Sequence, residues 1–344
     1  MCIQVELNVG FGLGCAAILS AVVNARCALV VVVTMDHMGS HQITEITVGA
    51  ESENLVTYGN QVFVAVESGS QVVVIDTDTN TVTGRIDVGD GPWWLAVVDA
   101  ASAASDPKLY VLKGSDMSMT VVSLTSQTAT ASFPCGTFNG KQISPSGLAD
   151  TRRGGLYLCD QEGFRVLEIS ATTNTVVDEI DLGLIPIGMV VSADGSRVYV
   201  AHPNDKLISV IDTTVTPPAV TRVPVAQNPF WVFLPPRGDR LYMVHWISEV
   251  AGLFRVIDLT TMLASSINVH LDPLGLIGDD TRAYVSSGAG KCVDVLDTTT
   301  VPPQIVETIP VDGSPGYLAF SADRKTLYAN DMSSDKVIAV SLAP

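Results

Sequence analysis

Charge is scarce in this chain of 344 residues, and positive charge is scarcest. Charged residues make up 16%, with 19 Lys and Arg against 36 Asp and Glu, for a net charge of −17. Nucleic-acid affinity comes largely from Lys and Arg neutralising phosphates, so a surface this acidic excludes general nucleic-acid binding. By the same sign argument it is repelled by an anionic membrane. Cysteine is sparse too. Cys2, Cys15 and Cys27 fall in the first 34 residues, leaving Cys135, Cys159 and Cys292 with no CxxC and no Cys/His spacing. That argues against a zinc site written in local sequence and against a disulfide-built scaffold. Buried thiols are the expectation, with Cys135–Cys159 as the one pairing left open.

Long apolar runs are also missing. "FGLGCAAILSAVVNARCALVVVV" is broken by Asn24 and Arg26, whereas a spanning helix needs about 18–20 uninterrupted apolar residues. No stable membrane span is expected. Two readings of residues 1–34 stand side by side. One is a signal peptide with a small-residue exit at "VNA" or "RCA", which implies export to the periplasm or beyond. The other is a translation start at Met35 or Met38, which implies a cytoplasmic protein. No G-x-S-x-G, H-E-x-x-H, Walker or G-x-G-x-x-G stretch sits in the strand–helix context it requires. No redox-cofactor motif is present.

What the chain does have is repetition. Hydrophobic residues are 47%, enough for a sizeable core. Val/Ile/Thr/Tyr runs alternate between Gly, Pro, Asn and Asp, and none keeps a helical period, so strands and turns are expected throughout. Aligned on Asp76, Ser123, Glu168, Asp212, Asp258, Asp297 and Ser341, the strand ends recur at steps of 47, 45, 44, 46, 39 and 44 residues. Upstream of each lies an aromatic strand: "VFVAV", "LYVLK", "LYLCD", "VYVAH", "LYMVH", "AYVSS", "LYAND". Pro corners such as "PWWLAV" and "PFWVFL" open further strands. Four short strands per unit of about 45 residues is the signature of a β-propeller.

Seven units are counted, and the last, ending "KVIAVSLAP", lacks its fourth strand. "HQITEITVG" (41–49) matches "TVTGRIDVG" (81–89). The expected fold is therefore an all-β, seven-bladed propeller over 35–344, closed one-plus-three by an N-terminal strand, with 1–34 as a leader or extension. "VVTMD" also reads as a third strand, but the C-terminus already fills that slot. "DTDTN" (76–80) looks like the start of a calcium loop but lacks its later Gly and Glu, so a strand-connecting turn is expected.

The units resemble the YVTN-type β-propeller repeat over about residues 36–344, most closely in "DGSRVYVAHPNDKLISVIDTTV" and "VVVIDTDTNTVTGRIDVGDGPWWLAV". The resemblance implies the seven-bladed ring. Functions on related rings run from cell-surface binding to dehydrogenase, reductase, lactonase and carbon–oxygen lyase activity, so the fold does not choose among them.

The departures from the repeat are more informative. The repeat's Asn closes the second strand at the ring's top face. Here those seven positions are Val66, Lys113, Asp160, His202, His245, Ser287 and Asp331. Trp93, Trp94, Phe230, Trp231 and Tyr317 stand at the blade corners beside them. One expectation is a top-face pocket that binds a small molecule or a partner protein between aromatic walls and a His/Asp/Lys ring. An enzymatic alternative uses His202 and His245 as acid and base, or as ligands to a divalent metal, with Asp160 orienting His202. The chemistry would be lyase-, cyclase- or lactonase-like. The plain alternative is that these positions are wet loop ends and that the aromatics pack between blades. The long "FPCGTFNGKQISPSG" (133–147) is expected to overhang the mouth as a partial lid.

Overall fold

The structure, a computed structural model, describes residues 4–11, 15–23, 29–35, 41–49, 51–99, 106–225, 227–246 and 251–342. Among the described residues every regular element is a β-strand. Seven four-stranded antiparallel sheets follow one another along the chain. Blade 1 spans 52–87, blade 2 92–134, blade 3 145–181, blade 4 189–224, blade 5 229–269 and blade 6 273–310. Blade 7 joins 315–341 to Ile43–Thr47. The innermost strands neighbour one another around the whole circle, blade 7 against blade 1 included.

The closure expected from the sequence is present. Ile43–Thr47 runs antiparallel to the third strand of blade 7, with Thr47 opposite Lys336 and Ile43 opposite Val340. Lys336 Nζ meets Glu45 at 2.5 Å, and Asn330 Nδ2 donates to Ser52 O at 2.6 Å across the seam. Gln4–Phe11, Cys15–Val23 and Leu29–Met35 form a three-stranded antiparallel sheet of their own. Most of "VVTMD" is thus used there. Both small-residue exits and Met38 fall wholly or mostly outside the described residues.

The repeat survives because its parts staple neighbouring blades. At the end of the third strand, Asp76 Oδ1 accepts from the N–H of Asp78 and Thr79 at 3.1 and 2.9 Å. The turn then places Asn80 in the left-handed region at φ 52°, which Asn tolerates better than most residues. That Asn accepts the Tyr328 hydroxyl of the preceding blade at 2.5 Å. Tyr110 reaches Asn174 of blade 3 in the same manner at 2.8 Å, while Tyr242 reaches the Thr298 hydroxyl of blade 6 at 2.9 Å. "DTDTN" is a turn, as expected.

Blade 3 corrects the alignment by two residues. Its third strand is Arg165–Ser170, so Ser170 and not Glu168 is the equivalent of Asp76. Ser170 Oγ accepts from Thr172 and Thr173 N–H. A Ser in the Asp position hid the register, because Glu168 offered a more acid-like match.

Candidate functional site

The second strand of each blade ends against the linker that enters the same blade, and the seven ring positions do their work there. Asp160 Oδ1 accepts from Ser144 N–H at 2.8 Å and Gly163 N–H at 3.2 Å, while Oδ2 takes Arg165 Nε at 2.8 Å. Asp331 accepts from Ser314 N–H at 2.8 Å and from Ser333 N–H at 2.9 Å. Ser287 donates to Leu271 O. Lys113, paired with Asp116 at 3.4 Å, lies beside Gly89. Val66 packs against Gly49, where a Cβ would stand 3.1 Å from its Cγ1. His202 Nδ1–H donates to Ile185 O at 2.9 Å, and its Nε2 accepts from Ser209 Oγ at 2.9 Å.

These positions are not wet loop ends. All seven are buried, and Asp160, His202, His245 and Ser287 are 0% exposed. Their polar atoms satisfy linker groups that would otherwise be buried without partners. Asp160 spends its oxygens on Arg165 and two backbone N–H groups, not on orienting His202.

His245 is the exception. Neither ring nitrogen has a hydrogen bond of good geometry. Burial holds its pKa down to about 4, the Arg255 charge adds to the depression, and the nearby Asn228 and Gln227 backbone offsets it only in part. His202 is also lowered, first by burial. Both imidazoles are therefore neutral at pH 7.

The aromatic residues converge, but on each other. Trp94 of blade 2, Trp231 of blade 5 and Tyr317 of blade 7 have ring centroids 5.1, 5.1 and 5.9 Å apart. Trp93 meets Trp94 edge-on at 6.3 Å. All three converging rings stand at the third position of an innermost strand. The equivalent residues of the other blades are Asn54, Gly147, Gly275 and, just ahead of its strand, Gly188. At Gly188 a Cβ would come within 3.0 Å of Trp231 Cε3, so glycine makes room for the indole. The result is an aromatic plug across the axis. Phe230 and Trp93 remain half-buried on the mouth side. Burial and the neighbouring Glu53 push the Tyr317 hydroxyl up to about 12. Burial first, then Glu67 and Glu51, raises Glu53.

On the far side of the plug, one to three residues further along the innermost strands, the axis widens into a cavity of about 460 Å³ that is broadly open to solvent. Leu55, Leu95, Leu148, Met189, Ile277 and Leu318 line it, one from each of six blades. Its charged lining residues are Asp150 and Arg152, paired at 3.3 Å. Burial raises the Asp150 carboxyl, and Arg152 counters this in part. Thr57 also lines it, with a hydroxyl buried away from the space and without a hydrogen-bond partner among the described residues. Sequence reading missed this chamber, although lining up the Pro corners would have shown the alternation of large aromatics and Gly above it.

Two further expectations change. Cys135, Cys159 and Cys292 are free thiols, so Cys135 and Cys159 do not pair. The 133–147 segment is not a lid over the mouth. It folds into a small hairpin, Thr137–Phe138 with Lys141–Gln142, tied to the outer strands of blade 3. Arg165 Nη2 donates to Phe138 O at 3.1 Å, and Asn139 Nδ2 to Glu179 at 2.9 Å. Among the described residues, the group of three or more His, Cys, Asp or Glu close enough to share a metal ion is His270, Cys292 and Asp294; His202 and His245 belong to none. Among the same residues no helix is long and apolar enough to cross a membrane.

No protein-family model matches the chain, and no curated protein matches it in sequence. Solved structures do match in shape. The hydrazine synthase of Kuenenia stuttgartiensis superposes at a TM-score of 0.69 with 19% identity, covering 89% of this chain and 99% of that one. A streptogramin B lyase superposes at 0.70 with 13% identity, covering 88% and 98%. The virginiamycin B lyase from Staphylococcus aureus gives 0.68 with 13% identity, covering 88% and 100%. At such identities the likeness concerns the fold, and the fold is the seven-bladed β-propeller.

Proposed function

We propose that this chain is a YVTN-type propeller acting as a rigid binding module, and that it takes a small, predominantly apolar molecule in its axial channel. The observation that carries this reading is the chamber of about 460 Å³ under the Trp94–Trp231–Tyr317 plug. Its size and apolar walls suit a small ligand, with a few polar groups to orient it. The Asp150–Arg152 pair supplies those groups. In this reading Lys113, Asp160, His202, Ser287 and Asp331 act as braces. They hold the mouth in shape, and Trp93 and Phe230 form its upper wall.

The test is a thermal-shift and calorimetric screen with uncharged aromatic and alicyclic molecules. Val190 lines the chamber and is only half-buried, so Val190→Trp should fill the space, keep the fold and abolish binding. Trp93→Ala, on the opposite side of the plug, should leave binding intact. The reverse pattern moves the site to the top-face mouth.

One observation favours the enzymatic alternative: His245 is buried and neutral, with the Asn228 and Gln227 backbone nearby but no hydrogen bond of good geometry among the described residues, a state suited to accepting a proton. Lyases are among the proteins of similar fold, and a lyase-, cyclase- or lactonase-like reaction would run through this residue. His202, with both nitrogens engaged, would serve as its structural counterpart.

A further inference from the structure

Away from the axis, blade 6 gathers three side chains that no sequence spacing connects. Cys292 opens the third strand and Asp294 stands two residues on, so the two-residue period of a strand puts both on one face. His270 reaches that face from the linker between blades 5 and 6. One of its ring nitrogens, the Cys292 Sγ and an Asp294 carboxylate oxygen lie within 4.8 Å of one another. Cys292 and Asp294 are buried, while the His270 side chain is 48% exposed. We propose that His270, Cys292 and Asp294 form a site for a divalent transition-metal ion, Zn²⁺ before others, with its fourth position turned to solvent on the His270 side.

The donor set carries the choice of ion. One imidazole, one thiolate and one carboxylate suit Zn²⁺ or Co²⁺. Mg²⁺ and Ca²⁺, which prefer all-oxygen shells, fit poorly. Three protein ligands with one open position is the arrangement of an accessible zinc site. The outer contacts are also in place. Thr308 Oγ1 donates to Asp294 Oδ1 at 2.8 Å, and the His270 backbone N–H to Oδ2 at 3.0 Å, fixing the carboxylate from two sides. Contacts of this kind orient metal ligands. Gly290 leaves the approach clear, since a Cβ there would collide with Ser287 Oγ and His270 Cβ. At the equivalent third-strand position the other blades carry Val73, Thr120, Leu167, Ser209, Arg255 and Ile338. The carboxylate is peculiar to blade 6.

His270 Nδ1 now stands 2.8 Å from Asp294 Oδ1. Donor atoms around a tetrahedral Zn²⁺ with bonds of about 2.0–2.3 Å are separated by roughly 3.3–3.7 Å. Loading therefore asks the ring to withdraw by less than about 1 Å, which its exposed linker position permits. On binding, the Cys292 thiol loses its proton to solvent and the S–H bond is replaced by a sulfur–metal bond.

The experiment titrates the reduced full chain with Co²⁺ as a spectroscopic probe, followed by Zn²⁺ competition. One equivalent should bind with a thiolate-to-cobalt charge-transfer band, and Zn²⁺ should displace it. Cys292→Ser should remove the band. His270→Ala, a change at an exposed residue, should weaken affinity by about 100-fold or more, and Thr308→Val by about tenfold. Circular dichroism establishes that each variant is folded. A folded wild type with no band means that His270 and Asp294 are a plain ion pair, and the proposal is wrong. A band that persists in Cys292→Ser places the metal on other thiols and overturns it equally.

Discussion

His202 and His245 occupy the same position in adjacent blades, at the end of the second strand, and both are fully buried. In blade 4 the imidazole is a brace, with one nitrogen on Ile185 O and the other on Ser209 Oγ. In blade 5 the third-strand residue equivalent to Ser209 is Arg255, and the ring is left with no hydrogen bond of good geometry among the described residues. Arg255 Nε is itself unpaired, and burial lowers its pKa. Sequence position and burial alone therefore do not tell a structural His from an available one. The neighbouring strand decides, because it supplies or withholds the second hydrogen-bond partner.

In blade 3 the same position is the most heavily used of the ring. Asp160→Ala removes the acceptor for two backbone N–H groups and the partner of buried Arg165. It should cost about 3–5 kcal/mol, the range for breaking a buried ion pair, read from urea unfolding at pH 7.5. A loss under about 1 kcal/mol would mean that the ring positions are not braces.

Acid should separate the two histidines next. His245 has a folded pKa of about 4 against an unfolded value near 6.5, so the unfolded chain takes the proton first as pH falls. Its stabilising contribution is complete above about pH 6.5 and is lost as pH drops toward 4. The loss amounts to at most about 3 kcal/mol at 1.36 kcal/mol per pH unit. Stability measured from pH 7.5 to 4.5 should fall less steeply in His245→Leu than in the wild type. Parallel slopes would show that His245 finds a partner for its charged form.

At pH 7.5 the two His→Leu variants should diverge by a smaller amount. His202→Leu strands Ile185 O and Ser209 Oγ and should cost about 1–3 kcal/mol. His245→Leu removes a polar group with no hydrogen bond of good geometry among the described residues, so it should change stability by less than about 1 kcal/mol or raise it. Equal losses would erase the distinction, and with it the case for His245 as an available group.

The braces show where sequence reading stops. That Val66, Lys113, Asp160, His202, His245, Ser287 and Asp331 share one structural position was legible, because it depends on a fixed offset from an aromatic. What each does there was not. Asp160 and Asp331 accept from the linker N–H groups of Ser144 and Ser314, whereas Ser287 and His202 donate to the linker carbonyls of Leu271 and Ile185. The linker partner lies 16 or 17 residues upstream in all four, so its distance is regular, while the kind of backbone group it presents is not.

The sequence by itself determined the seven units, their four strands and the N-terminal strand that closes the ring. Each of these follows from a periodic pattern of side chains and turns, and such patterns act over a few residues. Only the tertiary structure decided that Trp94, Trp231 and Tyr317 close the axis above an apolar chamber, and that His270 meets Cys292 and Asp294. Trp94 and Tyr317 come from blades 2 and 7, far apart in the chain. They touch only because the ring closes and narrows toward its axis, where side chains from every blade compete for the same small space.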